Sequence, residues 1–307
     1  MENSSTVTDF ILLHMTDNPH LGVPLFGVFL IFYIVTVLEN LGLVVLIRVS
    51  PCLHTPMYFF LSNVSFPDVC FSSITIPETL VNLLPKLQVG YFLGCVTQMG
   101  LFIIFASAEC NLLASMAYDR YTAICHPLLY HVIMSKVCYL LLVAGCYLGS
   151  LVNMVSVTTT IIQLLFCQPH VLPHFFCDIP PLLALACSEP WVTQILIVGC
   201  RGFTLITSIM VIFVSYQFVL ITVLRIPSVS GKQKAFSTCA SHLTTVGLYH
   251  GTTMYTYLKP SQRGSQAGNR MVSVFYAMVI PMLNPFIYSL RNQEVKVVLW
   301  KILKQSP

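Results

Sequence analysis

Apolar residues run in long blocks along this 307-residue chain, and charged positions are confined mostly to the short stretches between them. Seven blocks are long enough to cross a hydrocarbon layer ~30 Å thick, which takes about 20 helical residues. They run from Val23 to Ile47, Met57 to Leu84, Val96 to Tyr118, Val137 to Leu165, Val192 to Leu224, Ala235 to Leu258 and Met271 to Leu290. Ser, Thr, Asn and His dilute the second and the sixth. Such segments lie in lipid only if their polar groups turn toward a bundle interior, so the dilution marks these two as helices that line something. The pattern predicts an all-α membrane protein. Its parts are an outer N-terminal stretch (1–22), a seven-helix bundle (23–291) and a tail (292–307). In that tail Val295, Val298, Leu299 and Ile302 recur at helical spacing while Lys296, Lys301 and Lys304 occupy other faces. Too short to span, it reads as an amphipathic helix lying under the membrane.

Composition sharpens this reading. The chain is 56% hydrophobic and 8% charged, against roughly a quarter charged in soluble proteins, so no water-soluble shell can be built from it. With the amino terminus outside, Arg48, Arg120, Lys136, Arg225, Lys232, Lys234, Arg291, Lys296, Lys301 and Lys304 fall on the cytoplasmic side. Only Lys86, Lys259, Arg263 and Arg270 fall outside, which satisfies the positive-inside rule. The net charge of +4 therefore reflects topology, with membrane lipid as the partner and no call for nucleic acid. The first 22 residues lack a basic n-region, so the first span serves as the insertion signal. Asn3-Ser4-Ser5 is a glycosylation sequon on the outer side.

Cysteine placement adds a redox prediction. Cys95, Cys167, Cys177 and Cys187 all face the oxidising side, where two disulfides can form; four cysteines allow three pairings, and spacing does not choose among them. His174, Cys177 and Asp178 lie within five residues, but an oxidised Cys177 cannot ligate, so neither a metal nor a cofactor is expected there.

Proline and acid placement point inward. Pro67 and Pro77 in the second span, with Pro281 and Pro285 in the seventh, each remove a backbone donor and predict kinks around an internal cavity or hinge. Asp68 lies eleven residues beyond Met57, and Glu109 eleven before Arg120, so both sit about 16 Å above the inner boundary. Asn40 and Asn284 fall slightly lower, completing a polar belt at mid-membrane. Two carboxylates at one depth call for a bound cation or a shared proton. Neither a nucleophile nor an oxyanion donor accompanies them, which argues against an enzyme; the absence of a repeated half argues against a transporter. Glu109 and Arg120 are eleven residues apart, almost three helical turns, and project from one face. Leu113, Ala106 and Phe102 continue that stripe. Arg120 thus reads as an arginine held at the inner end of the bundle with Asp119 as its partner.

Five stretches now carry a resemblance: "LHTPMYFFLSNVSF" (53–66), "MAYDRYTAICHPLLY" (116–130), "SY" (215–216), "KAFSTCASHL" (234–243) and "PMLNPFIYSLRN" (281–292). In this order, at seven-helix spacing, the chain resembles the odorant-receptor family of rhodopsin-like G-protein-coupled receptors. The resemblance implies a small hydrophobic odorant as ligand and a stimulatory, olfactory-type heterotrimeric G protein as partner, raising cyclic AMP. It implies a multi-pass plasma-membrane protein, in the cilia of olfactory neurons. It assigns switch roles to Asp119, Arg120, Tyr121, Tyr216, His242 and Tyr288, and pairs Cys95 with Cys177 and Cys167 with Cys187. The chain departs from the family pattern at Thr122, Pro67 and Glu39, and at His250 where Tyr is usual. The outer halves of the third, fifth, sixth and seventh spans would supply the pocket: Phe102, Ile103, Ala106, Ser107, Arg201, Thr204, His250, Thr253, Tyr257, Ser273 and Ala277. Most are apolar or weakly polar, as suits a small molecule oriented by one or two hydrogen bonds. Arg201, some nine residues inside the fifth span, would face the cavity as a donor to an acid, aldehyde or ester oxygen.

Overall fold

The computed structural model describes residues 9–12, 19–83, 88–164, 171–172, 177, 179–183, 185–186, 191–258, 274, 278–291, 295, 297–298 and 304. Seven helices form the bundle: α1 (Pro19–Val49), α2 (Pro56–Asn82), α3 (Phe92–Cys125), α5 (Lys136–Ile162), α7 (Trp191–Arg225), α8 (Val229–Leu258) and α9 (Ile280–Arg291). Two short helices, α4 (Tyr130–Ile133) and α6 (Ile179–Leu183), sit in the connections. α1, α2, α3, α5 and α7 are each long and apolar enough to cross a membrane. α8, diluted by polar residues, and α9 complete the set of seven predicted from the pattern.

The physical reason that diluted helices persist in lipid is visible in their hydroxyls. Thr75 and Thr79 in α2 bond back to the carbonyls of Phe71 and Thr75, and Thr252 and Thr253 in α8 bond to Leu248 and Tyr249. These four hydroxyls are satisfied within their own helices, so none of them needs water. Ser135 caps α5, its Oγ accepting from the Cys138 N–H, and Pro56 opens α2 at a position where a missing N–H costs nothing.

α3 is the central post. It packs extensively against α7, α5 and α2, whereas α7 and α8 touch only sparsely. Its apolar face forms two layers. The outer layer joins Phe102, Ile103 and Met99 to Phe71, Ile76, Val157 and Ile161, and the inner joins Leu112, Leu113 and Met116 to Leu43, Leu61, Val64 and Tyr288. Val295 and Val298, after α9, are buried in the inner layer while Val297 is exposed; Lys296, Leu299, Lys301 and Ile302 lie outside the described residues.

Among the described residues there are three short strands: β1 (Asp9–Leu12), β2 (Gln88–Tyr91), directly before α3, and β3 (Val171–Leu172). β1 is central, antiparallel to β2 and parallel to β3. The sequence pattern gave no sign of them. A disulfide joins Cys95, at the start of α3, to Cys177. Gln98, one turn further along α3, accepts from the Cys177 N–H at 2.9 Å and donates to Glu78 and to the Ile74 carbonyl, pinning this connection to α2 and α3. Cys167 and Cys187 lie outside the described residues, as does Asn3.

Candidate functional site

A cavity of about 370 Å³ opens between α3, α5, α7 and α8. Phe102, Ala106 and Ser107 contribute one wall, Arg201 and Thr204 a second, and Thr253 a third, all predicted positions. Arg201 faces the cavity, its guanidinium 5.8 Å from the centre of the Phe102 ring, within range of a cation–π contact. Turned to lipid, the same group would have had to snorkel.

Two predicted lining residues sit elsewhere. Ile103 is fully buried in the outer core layer with Met99 and Ile161. His250 lies behind the cavity wall: its Nε2 is 3.0 Å from Ser208 Oγ and 3.7 Å from the sulfur of Cys110, and it is Cys110 that lines the space. The side chain of Tyr257, together with Ser273 and Ala277, lies outside the described residues.

Other lining residues were not anticipated, among them Phe71 on α2, Asn153 on α5 and Tyr249 on α8. Asn153 Nδ2 donates to Ser107 Oγ at 2.9 Å and lies 3.5 Å from Thr204 Oγ1, tying α5 to α3 and α7. The signal was present: an amide in the middle of an apolar span is costly unless it faces partners. Tyr249 donates to the Ala106 carbonyl.

Glu109 also lines this cavity. It is 7% exposed and Asp68 1%, and a single amide joins them. Asn284 Nδ2 approaches Glu109 Oε1 at 3.0 Å and the two Asp68 oxygens at 3.0 and 3.3 Å. Asn40 Nδ2 donates to the Pro281 carbonyl at 3.0 Å, the acceptor set free where Pro285 has no N–H to return to it. The four belt residues thus tie α1, α2, α3 and α9 at one level.

Below the belt, His242 on α8 bridges to α3 and α7. Its Nε2 meets the Leu113 carbonyl at 3.1 Å; a carbonyl only accepts, so this nitrogen carries the hydrogen and Nδ1 of the neutral ring accepts from the Tyr216 hydroxyl at 2.8 Å. The Tyr216 and His242 rings also stack. Tyr288 is buried in the inner core layer. At the end of α3, Arg120 Nη2 pairs with Asp119 Oδ2 at 2.8 Å, and the Tyr130 hydroxyl donates to Asp119 Oδ1 at 2.8 Å. Asp119 is fully buried and Arg120 nearly so, its side chain 13% exposed. Burial first, and then the Asp119 charge, push the Tyr130 phenol above its ordinary range, so it stays a donor. Tyr121 turns the other way, onto Phe218 of α7 and His126.

The olfactory receptor family model matches residues 29–306. The chain belongs to the olfactory receptor family. Mouse (Mus musculus) olfactory receptor 5AR1 is 47% identical over 306 residues, covering 100% of this chain and 99% of the relative. Human (Homo sapiens) olfactory receptor 5AR1 is 47% identical over 302 residues, covering 98% and 97%. Human olfactory receptor 5B12 is 48% identical over 306 residues, covering 100% and 98%. The receptor is accordingly a membrane protein of a receptor family, and its Cys95–Cys177 bond is the pairing that the resemblance implied.

Proposed function

We propose that this receptor binds a small, largely apolar odorant carrying one oxygen function in the cavity between α3, α5, α7 and α8. Occupancy favours a state whose Arg120 end opens and catalyses nucleotide exchange on a heterotrimeric G protein of the stimulatory olfactory type, raising cyclic AMP. Supporting this is one relationship: the cavity floor at Glu109 and the clamped Arg120 project from the same face of α3. A ligand that moves α3 or α8 at the cavity therefore acts on the element that holds the arginine. The shift it produces is set by its differential affinity for the two states, not by tightness alone.

In this reading the receptor lies in the plasma membrane of olfactory cilia with its amino terminus and Asn3 outside. Arg120, Asp119, Tyr121, Tyr216, His242 and Tyr288 form the signalling end. Arg201 donates to the odorant oxygen. Asp68 and Glu109 hold a shared proton or a cation; Asn284 Oδ1, buried beside them with no hydrogen-bond partner among the described residues, offers a further oxygen.

The test is a broad odorant screen in cells expressing the receptor, read as cyclic AMP, with Arg120→Ala as control. Agonists should raise cyclic AMP through the unaltered receptor and fail with the variant at equal surface expression. Agonists equally active on both, or purified receptor that conducts ions in proteoliposomes and leaves G-protein nucleotide exchange unchanged, would overturn the reading.

A further inference from the structure

A second recess lies between the membrane-facing sides of α7 and α8, below the odorant cavity. It measures about 480 Å³, and its walls are almost wholly apolar, with Phe213, Leu220, Phe236, Leu243 and Gly247 among them. Those four large side chains are exposed, so the recess opens sideways toward hydrocarbon. Gly247 widens it, since a methyl group added there would meet nothing within 4 Å. Ile209 and Met254 belong to the walls of both spaces, so the upper end abuts the ligand cavity.

Length and charge indicate the occupant. From Ile209 to Val223 the groove follows fifteen residues of α7, about 21 Å over the intervening steps at 1.5 Å each, enough to hold an acyl chain crossing the ~15 Å of one leaflet's hydrocarbon. Lys232 stands four residues before the groove residue Phe236, one turn nearer the start of α8 and on the same helical face, and is half-buried. A cation one helical turn beyond the Phe236 end of an apolar, laterally open slot complements a negatively charged headgroup on an acyl chain.

The geometry points to this groove as a binding site for an anionic phospholipid of the cytoplasmic leaflet, its chain between α7 and α8 and its headgroup on Lys232. The assignment rests on the orientation proposed above, which puts Lys232 in the cytosol. Because the groove shares Ile209 and Met254 with the ligand cavity, the lipid occupies the interface that a moving α8 must change.

Full-length receptor in phosphatidylcholine nanodiscs, doped with phosphatidylserine carrying a diazirine on one acyl chain, tests it by peptide mapping of the cross-links. Labelling should concentrate on the α7 and α8 walls, fall about fivefold in Lys232→Gln, and fall further in Gly247→Phe, which fills the slot. The same diazirine on phosphatidylcholine should label the walls no more than phosphatidylserine labels Lys232→Gln. Even labelling around the bundle, equal labelling by the two lipids, or indifference to Lys232→Gln overturns the proposal. Should Gly247→Phe fail to fold, Lys232→Gln decides alone, since it alters a side chain at the start of α8 away from the core. Orientation is judged separately: Lys232→Cys should react with an impermeant maleimide only after permeabilisation. Reaction on intact cells would refute the topology without touching the nanodisc result.

Discussion

The Tyr130 hydroxyl and the Asp119 carboxylate, eleven residues apart in sequence, meet at 2.8 Å, so the connection after α3 is fastened to the same side chain that holds Arg120. Asp119 spends one oxygen on each partner and has no exposure to water. Both bonds are therefore needed to keep a buried charge satisfied.

Removing one of them should loosen the clamp. Tyr130→Phe deletes a hydrogen bond to a charged group, worth about 1.5–3 kcal/mol, and leaves Asp119 half-satisfied in the resting arrangement. Ligand-free cyclic AMP should rise several-fold at matched surface expression. The pH dependence has a definite sign. A phenol whose pKa is raised on folding keeps its proton, so its contribution is complete below the ordinary value of about 10 and is lost only as pH rises beyond it. Basal signalling of the unaltered receptor should not change between about pH 6 and 8 on this account.

Arg201 should discriminate among odorants. If its guanidinium donates to the ligand oxygen, Arg201→Gln and Arg201→Ala lose a charge-assisted bond of about 1.5–3 kcal/mol, a ten- to hundredfold rise in the half-maximal concentration of oxygenated agonists. Dose–response curves at equal surface expression measure it, and an unchanged curve for both variants would remove Arg201 from the ligand site.

The belt makes a coupled prediction. Asn284→Ala takes away the one amide that reaches both Asp68 and Glu109, leaving two buried acids facing each other at a cost of about 3–5 kcal/mol. The purified receptor should melt several degrees lower and reach the surface poorly. Adding Glu109→Gln removes one of the like charges and supplies an amide, so the double variant should recover part of the loss. A double variant no better than Asn284→Ala would mean that the two acids do not interact.

How much of this was readable beforehand follows from which interactions are local. The helical bundle and the shared level of Asp68 and Glu109 follow from length and rise along single helices, and Asn284 reaches both acids at once. What failed depended on packing between helices. Ile103 shares its side of α3 with Cys110 and Ser107, which reach the cavity, yet neighbouring side chains such as Met99, Val157 and Ile161 enclose it in the core. The sequence puts His250 among the lining residues, but its ring meets Ser208 and Cys110, and of these only Cys110 lines the space. Asn153 does not stand out in the sequence because one amide barely dilutes an apolar span, yet it links three helices. The short strands were invisible because two to four residues carry too little period to register.

His242 supplies the last test, because it is where α8 is fastened to α3. One ring makes two hydrogen bonds, to the Leu113 carbonyl on α3 and from the Tyr216 hydroxyl on α7, and no other side-chain bond that we find among the described residues joins all three helices so near the Arg120 end. His242→Phe keeps the ring volume and stacking but deletes both bonds, each worth about 1 kcal/mol. If the outward movement of α8 opens the signalling face, the ligand-free open population should rise by up to roughly 30-fold, the factor that about 2 kcal/mol represents. Tyr216→Phe, which keeps the bond to Leu113, should loosen α8 less than His242→Phe does. The measurement is basal nucleotide exchange on purified G protein. Equal basal exchange in His242→Phe and the unaltered receptor, with both correctly folded, would mean that α8 is held by its packing and not by this ring.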